Sequence, residues 1–147
     1  MPFNRGIFYF YEMMAGYSGT PLLKKLGLTD GLVVYIYNHP EKYFDWLAPL
    51  PVNLIVKEKL SGDFDFIHLF VTEARRFQME FARSKKHLKK TGMLWVSWPK
   101  KSAKLTTDLD ENVIREFGLK EGLVDVKVCA VDDVWSGLKF MYRLKDR

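Results

Sequence analysis

The hydrophobic and polar positions along the chain follow two periods, one typical of strands and the other typical of helices. β-Branched and aromatic residues concentrate in short runs, which predict strands. In one of these runs, 93–98, apolar residues occupy both the odd-numbered and the even-numbered positions. This pattern indicates a strand of a parallel sheet that is covered on both faces. The predicted strands are 33–37, 53–56, 64–71, 93–98, 124–131 and 138–142.

Capping residues and helical spacing predict helices between these strands. Thr20 as N-cap and Pro21 at the first helical position begin a short helix that Gly27 ends. Pro40 imposes a turn before a second helix over 41–47. Thr72 is predicted to cap the longest helix, whose apolar spacing continues to Leu88.

The end of that longest helix is predicted to be strongly basic. Its last turns would carry Lys85, Lys86, Lys89 and Lys90, where the helix dipole favours cations, and a turn at residues 91–92 would follow. A last helix would begin at Asp108, with Glu111 completing a pattern like a capping box, and would end at Gly118.

The order of elements predicts the fold class. The connection 132–137 is too short for a helical crossover, so the last two strands must pair antiparallel. Strands alternating with helices and closed by such a hairpin indicate an α/β fold, a Rossmann-like three-layer sandwich with a mostly parallel sheet. This layout resembles the methyltransferase fold. We expect a single domain over 15–147, preceded by an N-terminal extension over 1–14.

Four motifs carry a more specific resemblance. They are Tyr17-Ser18-Gly19-Thr20-Pro21-Leu22, His68-Leu69-Phe70-Val71-Thr72, Leu94-Trp95-Val96-Ser97-Trp98-Pro99-Lys100-Lys101, and Val124-Asp125-Val126-Lys127-Val128-Cys129-Ala130-Val131-Asp132 with Trp135-Ser136-Gly137-Leu138-Lys139. Together they resemble a family of small bacterial proteins catalogued as a domain of unknown function. That family implies no activity or cofactor, and its members begin near Ala15.

Composition and charge limit the cellular compartment and the classes of partner that we expect. The chain has 147 residues, a net charge of +5 and a pI near 9.2, which favour anionic partners and admit nucleic acid without indicating it. Cys129 is the only cysteine, so an intramolecular disulfide and a cysteine-based zinc site are excluded, and we interpret it as a buried, inert thiol. No apolar run reaches a membrane span, and we expect a cytoplasmic protein.

The candidate site lies where the apolar run 93–98 meets a basic segment. Lys100, Lys101 and Lys104 follow this strand, and in open parallel sheets ligands bind beyond the carboxyl ends of the strands. Asn38 and His39 follow the first strand and are predicted to lie at the same edge. The alternatives are a solvated basic loop for the lysines and, for His39, a turn residue that bonds nearby backbone.

Four further residues complete the predicted ligand site. Thr72 would form its wall, Trp98 and Trp135 could stack on an aromatic ligand, and Ser136 could offer a backbone donor. Helix capping for Thr72 and core packing for the two tryptophans are the alternative roles.

Familiar enzyme signatures are absent from the sequence. The loop after the first strand reads Asn38-His39-Pro40-Glu41 and lacks the glycines that would let the backbone approach S-adenosylmethionine. A P-loop, a zinc-protease pair and a nucleophile elbow are missing too, so the sequence predicts no metal site and no particular reaction.

Two functions therefore stay open. The first is a small Rossmann-like protein that binds a nucleotide or phosphate ester at the carboxyl ends of the strands. The second is a non-catalytic interaction protein with a basic face for nucleic acid or an acidic protein.

Overall fold

The computed structural model describes residues 19–147. The predicted N-terminal extension, 1–14, lies outside these residues. Among residues 19–147, no helix is both long enough and apolar enough to cross a membrane.

Six strands form one sheet, and their arrangement confirms the predicted fold class. They are β1 (Val33–Tyr37), β2 (Ile55–Lys57), β3 (Phe64–Phe70), β4 (Leu88–Pro99), β5 (Leu123–Ala130) and β6 (Trp135–Tyr142). Their order is β2-β1-β3-β4-β6-β5. The first four strands are parallel, whereas β6 runs antiparallel to both β4 and β5. The sheet is thus mostly parallel and closed by a hairpin.

Helices cover the sheet on both sides. They are α1 (Leu22–Leu26), α2 (Tyr43–Leu47), α3 (Ala74–Lys85) and α4 (Glu111–Lys120). Successive strand side chains point to opposite faces, so the core divides in two. One cluster packs under α3 and α4 and includes Phe81 and Phe140. The other packs under α1 and α2 and includes Tyr43 and Trp95. We call these sides the α3/α4 face and the α1/α2 face.

The N-caps of α1 and α3 differ from the prediction. Pro21, not Thr20, is the N-cap of α1, although Gly27 ends this helix in the left-handed conformation as predicted. Thr72 does not cap α3. Glu73 is the N-cap there, and the backbone N–H of Ala74 donates to Asp108 Oδ1 at 2.6 Å. The first-turn donor of α3 is therefore satisfied by a residue 34 positions away.

The boundary between α3 and β4 was also predicted wrongly. The helix ends at Lys85, and β4 begins at Leu88, so Lys89 and Lys90 lie in the strand. Gly92 lies in the strand too, beside an irregularity in the pairing with β3, where a Cβ would approach the carbonyl oxygen of Phe64 to 3.0 Å. The close backbone approach, rather than a turn, explains this glycine.

The last helix begins later and ends later than predicted. Asp110 is its N-cap and accepts from the backbone N–H of Val113 at 2.8 Å, whereas Asp108 accepts from the backbone N–H of Ala74 in α3. Gly118 lies inside the helix rather than at its end. A Cβ at this position would come within 2.1 Å of the Phe140 ring. A packing contact therefore places this glycine.

Candidate functional site

The carboxyl edge of the sheet contains the point where the strand order reverses. In the sheet, β2 lies on one side of β1 and β3 lies on the other. The connections after β1 and β3 therefore leave in opposite directions, and ligands bind in the crevice at such a point in open α/β sheets. Asn38 follows β1 with a φ of 55°, in the left-handed region that asparagine tolerates. Its side-chain amide donates to the carbonyl oxygen of Phe70, the last residue of β3, at 3.5 Å. Asn38 thus bridges β1 and β3 at this point.

Lys100 lies at the same edge, directly after β4. Its backbone N–H donates to the carbonyl oxygen of Val134 at 2.7 Å, which fixes it against the β5–β6 connection. Asp132 Oδ1 holds that connection in shape by accepting from the N–H groups of Val134 and Trp135 at 3.0 and 2.8 Å. Burial raises the pKa of Asp132, while these two hydrogen bonds and Lys100 oppose that rise.

Trp135 extends this group toward β3. Its half-buried indole meets the Phe70 ring edge-on, with centroids 5.1 Å apart. Because Phe70 also accepts the Asn38 hydrogen bond, Asn38 and Trp135 both contact the end of β3, and Lys100 follows the neighbouring strand β4. Ser136 is half-buried in β6, where it pairs with Trp98 and Ala130.

Four other predicted residues lie at this edge with different surroundings. His39 is exposed, its Nδ1–H donates to Pro40 O at 2.9 Å, and its ring stacks on Tyr43 at 5.7 Å. Thr72 is half-buried, and its carbonyl oxygen accepts from Thr107 at 2.6 Å. Lys101 and Lys104 are exposed on the short 3-10 helix Lys101–Ala103 and its left-handed cap.

Trp98 is surrounded mainly by core residues, although its backbone pairs with that of Ser136. It is 7% exposed and belongs to the cluster on the α3/α4 face. Its neighbours in β4, Ser97 and Pro99, alternate to the other side of the sheet. Trp98 therefore packs in the core on this face.

A buried polar network, which the sequence interpretation missed, lies beneath this edge. His68 is fully buried in β3, and its two ring nitrogens hydrogen-bond Tyr43 Oη and Ser97 Oγ, each at 2.8 Å. Because a neutral imidazole carries one N–H, one hydroxyl donates to the ring and the other accepts from it. Burial lowers the pKa of His68 to about 3 and raises that of Tyr43. This network links α2 to β3 and β4. Because it is buried, its groups do not act as an acid or base toward solvent.

A second group that the sequence interpretation missed surrounds Cys129. Lys127 and Lys139 are directly opposite each other on β5 and β6. Lys25 of α1 is buried, and its Nζ lies 3.5 Å from Ala130 O. The thiol itself is half-buried, not fully buried as predicted. Burial raises its pKa, which nearby Lys25, Lys127 and Lys100 oppose.

The hairpin register was the signal for this second group. Pairing Cys129 with Gly137 in the sequence puts Lys127 opposite Lys139. The buried network had a weaker signal, a histidine and a serine inside two apolar strands.

Within residues 19–147, no three His, Cys, Asp or Glu side chains cluster as a metal site would require.

Comparisons with known proteins identify the fold. No protein-family model matches the chain, and no curated protein matches it either. The chain is similar in structure to fibrillarin from Aeropyrum pernix, solved with bound S-adenosyl-L-methionine, with a TM-score of 0.56, 11% identity, and 90% and 74% of the two chains covered. It is also similar in structure to a SAM-dependent methyltransferase from Aquifex aeolicus, with a TM-score of 0.53, 14% identity, and 90% and 93% of the two chains covered.

A third similar structure is a precorrin-6y C5,15-methyltransferase from Geobacter metallireducens GS-15, with a TM-score of 0.53, 12% identity, and 83% and 86% of the chains covered. At such low identities the likeness establishes the fold alone. The chain therefore has the Rossmann-like fold of the S-adenosylmethionine-dependent methyltransferases.

Proposed function

We propose that the protein binds a small anionic ligand, a nucleotide or a phosphate ester, at the carboxyl edge of its sheet. The observation that carries this proposal is that Asn38, Lys100 and Trp135 lie around the carboxyl ends of β3 and β4, beside the point between β1 and β3 where the strand order reverses. An amide, an ammonium group and a half-buried indole match the polar, charged and aromatic parts of such a ligand.

Charge supports an anion over a neutral ligand. Lys100, Lys101 and Lys104 lie within five residues, and no described carboxylate forms an ion pair with them. Lys100 is half-buried and held by its backbone, whereas the other two are exposed. We therefore assign the anion primarily to Lys100, with Lys101 and Lys104 adding attraction at longer range.

S-Adenosylmethionine is expected to bind weakly or not at all, despite the fold. Residues 38–41 contain no glycine, and Pro40 lies at the start of the turn into α2. Tyr43 and Leu47 of that short helix are buried against the sheet, so the loop is anchored on both sides. Isothermal titration with S-adenosylmethionine tests this expectation, and a micromolar dissociation constant would overturn it.

The direct test of the proposal is a thermal-shift screen with inorganic phosphate, AMP, ADP and sugar phosphates. Stabilisation by one of them is expected, followed by tenfold weaker binding in Lys100→Ala, because a charge-assisted hydrogen bond contributes about 1.5 to 3 kcal/mol. Lys59→Ala, which removes an exposed lysine beyond β2, is the matched control. If no anion in the panel stabilises the parent protein, the proposal is wrong.

Nucleic-acid binding is a second candidate function, favoured by a basic cluster at the opposite edge of the sheet. Lys90 Nζ lies 4.3 Å from the centre of the Tyr142 ring, and Tyr142 Oη donates to the carbonyl oxygen of Lys85. Lys86 and Lys120 are exposed at the ends of α3 and α4 nearby. Such a cluster would bind phosphates irrespective of sequence.

The salt dependence of RNA binding separates this candidate from the first. Fluorescence anisotropy with a short labelled single-stranded RNA should show affinity falling linearly on a logarithmic salt scale. Each of Lys86→Ala, Lys90→Ala and Lys120→Ala should reduce the slope by about 0.7. Lys59→Ala should leave the slope unchanged, and equal losses in all four variants would contradict a defined surface.

A further inference from the structure

Two tryptophans on the α1/α2 face have different surroundings. Trp95 is fully buried, and its indole N–H donates to the carbonyl oxygen of Leu26 at 2.9 Å, as a buried tryptophan normally requires. Trp135 is half-buried, and no residue among 19–147 accepts a hydrogen bond from its indole N–H. The described part of the fold therefore leaves a portion of the Trp135 ring and its N–H donor unused.

Other rings hold the indole of Trp135 in place. Phe70 meets it edge-on at 5.1 Å, and Phe70 itself stacks on His68 with ring centroids 4.3 Å apart. His68 is fixed in turn by its hydrogen bonds to Tyr43 and Ser97. Because these contacts orient the indole before a ligand binds, stacking on it costs little conformational entropy.

The backbone of Trp135 is fixed as well. Its N–H donates to Asp132 Oδ1 at 2.8 Å, and its carbonyl oxygen accepts from the N–H of Val131 at 2.9 Å. Trp135 also pairs with Pro99 in the register of β4 and β6. The indole is therefore presented from one backbone position at the carboxyl edge of the sheet.

Lys100 and Trp135 are neighbours across the ends of β4 and β6. Trp135 pairs with Pro99, the residue before Lys100, and the Lys100 N–H donates to the carbonyl oxygen of Val134, the residue before Trp135, at 2.7 Å. Neighbouring strands lie about 5 Å apart, and the flexible stem of a lysine beyond a strand end is not confined to one face. A ligand therefore needs only a short spacer between an anionic group and an aromatic ring. In a nucleoside 5′-monophosphate, one ribose is that spacer.

We propose that the indole of Trp135 is the stacking surface for the base of a nucleoside monophosphate whose phosphate is bound by Lys100. The proposal rests on the proposed function, because it assigns the phosphate to the same anion site. It narrows the ligand from any phosphate ester to one that carries a planar aromatic ring. Since every base has a π face, Trp135 would select for a base without selecting which one.

Calorimetric titration with AMP and with ribose 5-phosphate is the test, because the two ligands share the ribose and the phosphate and only AMP carries a base. The parent protein should bind AMP at least about fivefold more tightly than ribose 5-phosphate. Trp135→Leu should bind both ligands with the affinity that the parent protein has for ribose 5-phosphate. Trp46→Phe, at a half-buried position of α2, is the matched control and should keep the full preference.

Tryptophan fluorescence provides a readout that a purely structural role of Trp135 would not change. A stacked base quenches an indole, so AMP should quench the parent protein and ribose 5-phosphate should not. Trp135→Phe keeps a planar ring, and it should retain part of the AMP preference while losing the quenching. Melting curves without ligand check the folding of each variant. If Trp135→Leu does not fold, the comparison of Trp135→Phe with the parent protein decides.

The outcomes separate this proposal from the proposed function. If AMP and ribose 5-phosphate bind the parent protein equally, or if the AMP preference survives in Trp135→Leu or the quenching in Trp135→Phe, the stacking surface is wrong and the anion site stands. If neither ligand binds the parent protein, the proposed function fails and the stacking surface fails with it. AMP binding that Trp135→Leu weakens and Lys100→Ala does not would contradict the anion site and its link to Trp135.

Discussion

The two faces of the sheet use their buried side chains differently. On the α3/α4 face, the core is aromatic and aliphatic, and Phe81 meets Phe77, Phe117 and Phe140 at ring distances of 5.2 to 5.6 Å. Among residues 19–147, the buried polar residues of the strands are His68 and Ser97, and both lie on the α1/α2 face.

The helices differ in the same sense. Those on the α3/α4 face have 12 and 10 residues, whereas α1 and α2 have five each. Short helices bury little apolar area, so hydrogen bonds to the sheet do more of the anchoring on the α1/α2 face. An example is the buried Trp95 indole N–H, which donates to the carbonyl oxygen of Leu26 at 2.9 Å and satisfies the end of α1. One face therefore relies on long helices over an aromatic core, in which Glu80 and Ser84 of α3 are buried as well, and the other relies on hydrogen bonds to the sheet.

The largest expected effect comes from a substitution in the core of the α3/α4 face. Phe81→Ala should lower the free energy of unfolding by about 3 to 5 kcal/mol, because it empties a fully buried ring site between two helices and β6. Urea denaturation measures this loss. Met79→Ala, at a half-exposed position of the same helix, is the control and should change stability little.

The same variant tests whether the faces are separable. The folded fraction of Phe81→Ala, or of the milder Phe81→Leu, should bind phosphate with the affinity of the parent protein. A large loss of affinity in the folded protein would contradict the division between the faces.

The next effect concerns pH and the buried network of the α1/α2 face. The pKa of His68 is about 3 in the folded protein and 6.5 when unperturbed, so the unfolded chain binds more protons between these values. Stability from this residue is complete above pH 6.5 and is lost as the pH falls, by about 3 kcal/mol at pH 4. His68→Gln removes the titrating group and should flatten this part of the stability curve.

Denaturation midpoints across that pH range provide the measurement, with His39→Gln as the control because His39 is exposed. We expect only His68→Gln, of these two variants, to change the dependence of stability on pH. Parallel curves for the parent protein and His68→Gln would show that the network does not hold a neutral histidine.

A smaller effect distinguishes the observed helix cap from the predicted one. Asp108→Ala should destabilise the protein by about 1 kcal/mol, because it leaves the Ala74 N–H at the start of α3 without its acceptor. Thr72→Ala should cost less, since only the Thr72 backbone oxygen bonds Thr107. Chemical denaturation of the two variants decides between them, and the reverse order would restore Thr72 as the cap.

The Asp108 contact shows where sequence reasoning reaches its limit. Local patterns were sufficient for the parallel strands, the closing hairpin and the Gly27 helix end, since each depends on neighbouring residues. They failed where a distant residue supplies the contact, as Asp108 does for α3 and Phe140 does for Gly118. Those contacts arise only once the chain has folded.

The candidate site shows the same division. The strand-end rule placed Asn38 and Lys100 at one edge, because it depends only on strand direction. Trp98 could not be assigned to a face without the register of β4, and it lies in the core. The Lys127 and Lys139 pair needed the register of the hairpin.

The anion site at the carboxyl edge is tested by calorimetric titration of the parent protein, Lys100→Ala and Lys59→Ala with the strongest stabiliser among phosphate, AMP, ADP and sugar phosphates. We expect Lys100→Ala to bind tenfold or more weakly and Lys59→Ala to bind like the parent protein. Equal affinities in all three proteins, or no binding to the parent protein, would contradict an anion site at the carboxyl edge of the sheet.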